Sequence, residues 1–197
     1  MAYVTAAQLR AYMRISSSDD DTLLGNAAAQ AQRYIESRTN RVFEAAADTT
    51  RKFTPEMSWD GGDLTNSRTL SFDDDLCALT SITNGDGTAI SLSDVALLPL
   101  NIRPAYAVTL ISDTVAWVYS GSSPVGKVSI VGKWAYSLTA PVDIYEATLS
   151  LAEHLYKSPD TSAYTAAVMS SDGVPLMPPG IPARVNRVIA TYARRVS

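Results

Sequence analysis

The sequence predicts an α+β chain: a small antiparallel-packed helical core with an antiparallel β domain inserted into it. The core comprises an N-terminal helical hairpin, a third helix and a C-terminal helix. Three observations predict this. Near both ends of the chain, apolar residues recur at offsets of three and four, which places them on one helix face. Between residues 44 and 136 that spacing gives way to β-branched alternation, interrupted by Gly, Asn and Asp. Hydrophobic residues make up 46% of the 197, enough to fill a real core.

Thr5 opens a short helix through about Ile15. Thr5 with Gln8 fits a capping box, in which each side chain satisfies the other's orphan N–H. Leu9, Tyr12 and Met13 form its apolar face. Ser16, Ser17 and Ser18 break it, and a long helix follows from Asp19 to Arg41. Leu23, Leu24, Ala27, Ala28, Ala31, Tyr34 and Ile35 share one face of that helix. Asp19, Asp20 and Asp21 stand at its start, where carboxylates can accept free backbone N–H groups. Arg38 and Arg41 stand at its end, where positive charge is favoured. The alanines make a shallow face that another helix can approach closely. The helix is thus the expected spine against which the other helices pack.

The β block offers candidate strands at Arg51–Thr54, Arg68–Phe72, Leu79–Thr83, Thr88–Leu92, Ala105–Ile111, Val115–Tyr119 and Lys127–Tyr136. Asn84-Gly85-Asp86-Gly87 is a strong hairpin turn, because its residues tolerate positive φ. In the last strand Val128, Ile130, Gly132 and Trp134 alternate with Lys127, Ser129, Val131 and Lys133, as one buried face requires. Gly121 to Pro124 reads as a loop, and Trp59 to Asp63 as a mobile one. Asp73-Asp74-Asp75 reads as a solvated turn.

Pro141 starts a helix running to about Lys157, with Ile144, Thr148, Leu151, Ala152 and Leu155 facing inward. Ser158-Pro159-Asp160 ends it. Residues 159–180 read as an extended or mobile linker with a helical turn near Tyr164–Met169. The last helix spans Ile181 to Val196. Ile181, Val185, Val188, Ile189, Tyr192 and Val196 form one stripe, with Arg184, Arg187, Arg194 and Arg195 off or beside it. The division is thus 1–43 hairpin, 44–136 β domain, 137–158 core helix, 159–180 linker and 181–197 basic amphipathic helix.

Charge and chemistry narrow the function. The net charge of −4 argues against a general nucleic-acid binder. Residues 181–197 nevertheless carry four arginines and no acid. Such a tail suits an acidic partner, or simply a solvated helix end. One cysteine, Cys77, excludes an internal disulfide and fits a reducing compartment. The first residues lack a signal-peptide layout, and no apolar run approaches the ~20 residues that span a bilayer. The expectation is a soluble chain made in a cytoplasm.

No catalytic constellation stands out. His154 is the only histidine and lacks the second one of the metalloprotease helix. Cys77 sits in an apolar stretch with no basic neighbour to activate it. Consecutive aspartates cannot all aim at one ion, so no metal site is expected. No Gly-rich phosphate loop is present, so no cofactor is expected. Tyr106, Trp117, Tyr119 and Trp134 could stack on a sugar or a base, although core packing suits them better. A structural or binding protein is favoured over an enzyme.

Three stretches resemble the head–tail connector family of long-tailed bacteriophages, the adaptor or head-completion proteins. The first is Val4-Thr5-Ala6-Ala7-Gln8-Leu9-Arg10 through Ile15, then Asp19 to Leu24, then Ala28 to Arg41. The second is Gly132-Lys133-Trp134-Ala135-Tyr136, followed by Pro141 to Ala147 and Leu151 to Tyr156. The third is Ile181-Pro182 through Tyr192-Ala193-Arg194-Arg195. Together they cover about half the chain, in family order. The β block is longer than the hairpin many members carry there.

The resemblance implies a virion protein of the neck, made in the host cytoplasm. It implies a ring of identical subunits, usually a dodecamer, bound under the portal protein, with Ala27, Ala28, Ala31, Tyr34 and Arg38 on the shallow helix face as the candidates for packing between subunits. The ring extends the DNA channel, through which DNA passes without specific binding, and offers a surface to a stopper or tail-completion protein. The detachable basic tail makes Arg184, Arg187, Tyr192, Arg194 and Arg195 the candidate portal contacts. Two other readings stay open: a carbohydrate- or host-surface-binding module carried by the β domain, and a small hydrolase built on His154.

Overall fold

Helices occupy both ends of the chain and strands its middle in a computed structural model, which describes residues 2–55, 57–60, 63–162, 168–169, 175–176 and 180–194. In order these are α1 (Ala6–Met13), α2 (Asp21–Thr39), β1 (Thr49–Phe53), β2 (Met57–Asp60), β3 (Asp63–Asn66), β4 (Thr69–Thr83), β5 (Ala89–Ile90), β6 (Val95–Leu98), β7 (Ala105–Leu110), β8 (Val128–Trp134), α3 (Val142–Ser162), β9 (Val168–Met169), β10 (Pro175–Leu176) and α4 (Ala183–Tyr192). The class is α+β, with a six-stranded antiparallel sheet. The chain divides into a helical unit, residues 1–41 with 140–197, and a β unit, residues 42–139.

In the helical unit, α2 packs against α1, α3 and α4. The capping box forms: the Gln8 N–H donates to Thr5 Oγ1 at 3.2 Å and the Thr5 N–H to Gln8 Oε1 at 2.8 Å. Arg14, in the left-handed region at φ 58, stops α1 two residues early. Leu9 alone of α1 is buried, and Tyr12 is exposed, so the predicted face narrows to a single anchor. Leu24, Ala27, Ala28, Ala31 and Ile35 of α2 are buried, whereas Leu23 faces solvent.

The aspartates at the start of α2 do not cap it. Arg10 Nη1 donates to both oxygens of Asp21 at 3.1 Å, and the Tyr156 hydroxyl donates to Asp20 at 2.7 Å. These carboxylates instead tie α2 to α1 and α3. At its other end α2 stops at Asn40, again left-handed.

Ile144, Ala147, Thr148, Leu151 and Ala152 are the buried stripe of α3. The Thr148 hydroxyl is satisfied within the helix by the Ile144 carbonyl at 2.8 Å. Pro141 lies just before α3, where its carbonyl accepts the first helical N–H, from Tyr145, at 2.9 Å. The helix also runs past Pro159 to Ser162, correcting the predicted stop. A proline removes one N–H from the ladder, and here the helix continues through it. Of the predicted linker turn, Met169 lies in an antiparallel two-strand pairing of β9 with β10, and residues 164–167 lie outside the described residues.

The β unit orders its strands β1-β8-β4-β7-β6, with β5 pairing β4 as well. β8 alternates as its sequence predicts, with Val128, Ile130, Gly132 and Trp134 inward. Phe53, Phe72 and Trp134 meet with ring centroids 5.2–5.5 Å apart, over Leu70, Leu76, Val108 and Ile130. At Gly132 β8 lies close against β4. A Cβ there would lie 2.5 Å from the Ala78 carbonyl oxygen and 2.8 Å from Leu76 Cδ1. The Asn84–Gly87 turn closes with Asn84 N–H donating to the Thr88 carbonyl at 2.7 Å, and Gly87 takes φ +93.

Several expectations are corrected in this unit. Arg68–Phe72 and Leu79–Thr83 are one strand, β4, and Asp73–Asp75 lie inside it rather than in a turn. Its register against β7 shifts between Ser71 and Leu76, which buries Asp75 beside Leu76. Val115–Tyr119 makes only an isolated bridge, yet Trp117 is fully buried and its indole N–H donates to the Arg68 carbonyl at 3.1 Å. Thr88–Leu92 contracts to β5 and a 3-10 turn. Trp59 and Asp60 pair with Leu64 and Asp63 in a hairpin, not a loop, while Gly61 and Gly62 lie outside the described residues. β6 is a strand the sequence reading omitted.

Candidate functional site

The surface with the most to offer a partner is built where α2 and α4 end. Arg38 stands in the last turn of α2 and Arg41 just past it; the last turn of α4 holds no basic residue, and Arg194 follows it. Thr39 closes α2 with its hydroxyl donating to the Ile35 carbonyl at 2.8 Å. Its own carbonyl accepts the Arg194 N–H at 2.9 Å. In return Arg41 Nε donates to the Tyr192 carbonyl at 2.8 Å. Residues some 150 positions apart thus lock two helix ends together, and each bond satisfies a carbonyl that a helix C-terminus would leave open. The same ends carry partial negative charge, which favours the cations gathered on them.

Arg38 stands in the last turn of α2, exposed, its guanidinium carbon 5.2 Å from the Tyr34 ring centroid. The acid nearest in sequence, Glu36, is turned elsewhere: the Tyr3 hydroxyl donates to it at 2.6 Å and Gln32 at 2.9 Å. On α4, Val185 is fully buried and Val188, Ile189 and Tyr192 are half-buried, so the predicted stripe faces the helix's own unit. That resolves where the tail helix packs: against α3 and α2 of the same chain. Arg184 pairs with Glu146, and the Tyr192 hydroxyl donates to Asp143 at 3.0 Å. Arg187 is exposed. Among the described residues no ion pair involves Arg38 or Arg187.

The predicted site residues therefore separate. Arg184, Arg187, Tyr192 and Arg194 share α4 and its end, and Arg195 lies outside the described residues. Ala27, Ala28 and Ala31 are covered by this chain's own helices, so they form core and not outward surface. Tyr34 and Arg38 do reach the surface. Arg41 was missed as a site residue. Its signal was its place just past the end of α2.

The chemical candidates disperse. His154 is partly exposed on α3. Cys77 is half-buried, its thiol directed at the Lys133 carbonyl 3.3 Å away, and burial pushes its pKa up, away from a reactive thiolate. Among the described residues no group of three or more His, Cys, Asp or Glu is placed to hold a metal ion. Trp117 and Trp134 are in the core, the placement their sequence favours over stacking on a sugar or base, and Arg51 covers the Trp134 ring at 4.7 Å.

No protein-family model matches the sequence, and no curated protein does either. Among solved structures the fold is similar to a chain from the neck of an empty GTA particle computed with C6 symmetry. That likeness has a TM-score of 0.51 at 18% identity, over 94% of this chain and 88% of that one. At such an identity the shared property is the fold.

Proposed function

We propose that this chain is a structural protein of the neck of a phage-like particle, a non-catalytic adaptor between head and tail. The observation that carries this reading is the fold likeness to a neck chain, spanning 94% of this chain, helical unit and inserted β unit together. The head–tail connector motifs in the three helical stretches point the same way. In this reading the chain forms a ring of identical copies, a dodecamer, under the portal. The ring lengthens the DNA channel and presents a surface to a stopper or tail-completion protein.

Physical features support the parts. The β unit holds eleven acidic and six basic residues, which suits a conduit wall that repels DNA instead of holding it. The exposed arginines of α4 suit contact with the portal, with Arg184, Arg187, Tyr192, Arg194 and Arg195 as the contributing residues. The free chain is monomeric and the ring assembles on the portal template. Its home is the virion neck, after synthesis in the host cytoplasm.

Particles assembled without this protein test the reading. Expected are filled heads that lose their genome and carry no tails under electron microscopy. Complete, tailed, genome-retaining particles would overturn it.

A further inference from the structure

We infer that the portal-facing surface is not the tail helix alone but a two-helix basic end, with Arg38 and Arg41 of the α2 terminus acting alongside Arg194 just past α4 and Arg187 on the exposed side of α4, and that its partner is a carboxylate-rich protein surface. This rests on the portal reading above and gives it chemistry.

Four observations carry it. The ends of α2 and α4 are joined by reciprocal bonds, Arg41 Nε to the Tyr192 carbonyl and Arg194 N–H to the Thr39 carbonyl, so Arg38, Arg41 and Arg194 are held on one end of the unit, with Arg187 farther back along α4. Arg38 is displayed rather than neutralised: its guanidinium lies over the Tyr34 ring, and no ion pair among the described residues uses it. Arg187 is likewise exposed and outside those ion pairs. The closest acid along α2, Glu36, is committed to Tyr3 and Gln32. Helix-end electrostatics explains why cations are tolerated here.

The partner follows from the groups. A planar guanidinium recognises carboxylate and phosphate alike through paired N–H donors. One feature favours protein over DNA. A stacked Tyr–Arg pair is the composition of protein interfaces, where those two residues are enriched at the contacts that matter.

The test uses the full chain as wild type, Arg38→Glu, Arg187→Glu and the double variant. Arg14→Glu, at the exposed end of α1, is the control for the same charge change. Melting temperature and circular dichroism establish that each is folded, since none of these side chains is buried. Binding to immobilised portal should weaken about tenfold for each single variant and further for the double, with the control near wild type. Raising salt should weaken wild type more than the double variant.

If wild type binds and the Arg38 and Arg187 variants bind equally well, the inference falls while the portal reading stands. If wild type fails to bind portal, that reading falls, and poly-glutamate resin still decides the chemistry. Retention that Arg38→Glu and Arg187→Glu abolish supports the inference, and no retention overturns it. A short DNA duplex is the third probe. Duplex binding lost on the same substitutions, with portal binding intact, would assign the surface to nucleic acid and overturn the proposal.

Discussion

The helical unit and the β unit treat their charges in opposite ways. In the β unit Arg51 meets Asp74, Arg68 lies 3.7 Å from Asp113, and Lys133 lies 3.5 Å from Asp48. Among the described residues, half of that unit's basic residues are thus answered by its own acids. In the helical unit the internal charge pairs fasten helix to helix, as Arg10 does with Asp21 and Arg184 with Glu146. Arg38 and Arg187 are then left outward. Exposed pairs contribute little to stability, about 0–1 kcal/mol each. The difference therefore concerns partners rather than folding: the β unit keeps a surplus of acid, and the helical unit presents arginine at the joined ends of α2 and α4.

The cores differ too, and that is where the comparison is most easily broken. The β unit is filled by aromatic rings, the helical unit by alanine and leucine. All three tryptophans, at 59, 117 and 134, belong to the β unit, so tryptophan fluorescence reports on it, while ellipticity at 222 nm weights the helices. The largest expected effect is from Trp117→Ala. It empties a site 1% exposed and leaves the Arg68 carbonyl without its indole donor, at a cost of about 4 kcal/mol. The fluorescence melt should fall well below the 222 nm melt. Equal displacement of both would show that the two cores do not melt separately.

Leu151→Ala is the mirror experiment. Leu151 is 1% exposed on α3, and its truncation should cost about 3 kcal/mol. The helical melt should move and the tryptophan melt should lag. A variant in which fluorescence moves first would reverse the assignment of cores to units.

The helical unit was the more legible in sequence, for physical reasons. Helix periodicity is local, and the Thr5–Gln8 cap needs only four residues to be recognised. Strand β8 was legible because a single alternation runs unbroken from Val128 to Trp134. Strand β4 was not. Its register shifts reset the inward set, so Leu70 and Phe72 alternate one way and Asp75 with Leu76 another. Three successive aspartates then look like a turn. Trp117 reads as a strand residue by its neighbours and is in fact a buried side chain on an irregular segment. At the candidate site the four arginines of the tail could be read directly. Their junction with α2 could not, because the bonds from Arg41 and Arg194 cross a gap of some 150 residues that no local pattern spans.

The smallest effect expected is a pH dependence confined to the β unit, and it tests whether that unit's charge pairs matter at all. The Thr80 hydroxyl donates to the Asp48 carboxylate at 2.5 Å. That bond, with the Lys133 ammonium adding to it and partial burial opposing, holds the Asp48 carboxyl below its ordinary 3.8. A carboxyl whose folded pKa lies below its unfolded one stabilises the fold above the unfolded value. That contribution fades as pH falls toward 3.8 and is gone below the folded value. Asp48→Asn removes the titration and keeps an oxygen for Thr80. Followed by tryptophan fluorescence, wild type should lose slightly more stability than the variant as pH is lowered through that window, and the gap should shrink in high salt. Parallel curves would mean that the charge pairs of the β unit set only its surface charge, and that its stability rests on its apolar core.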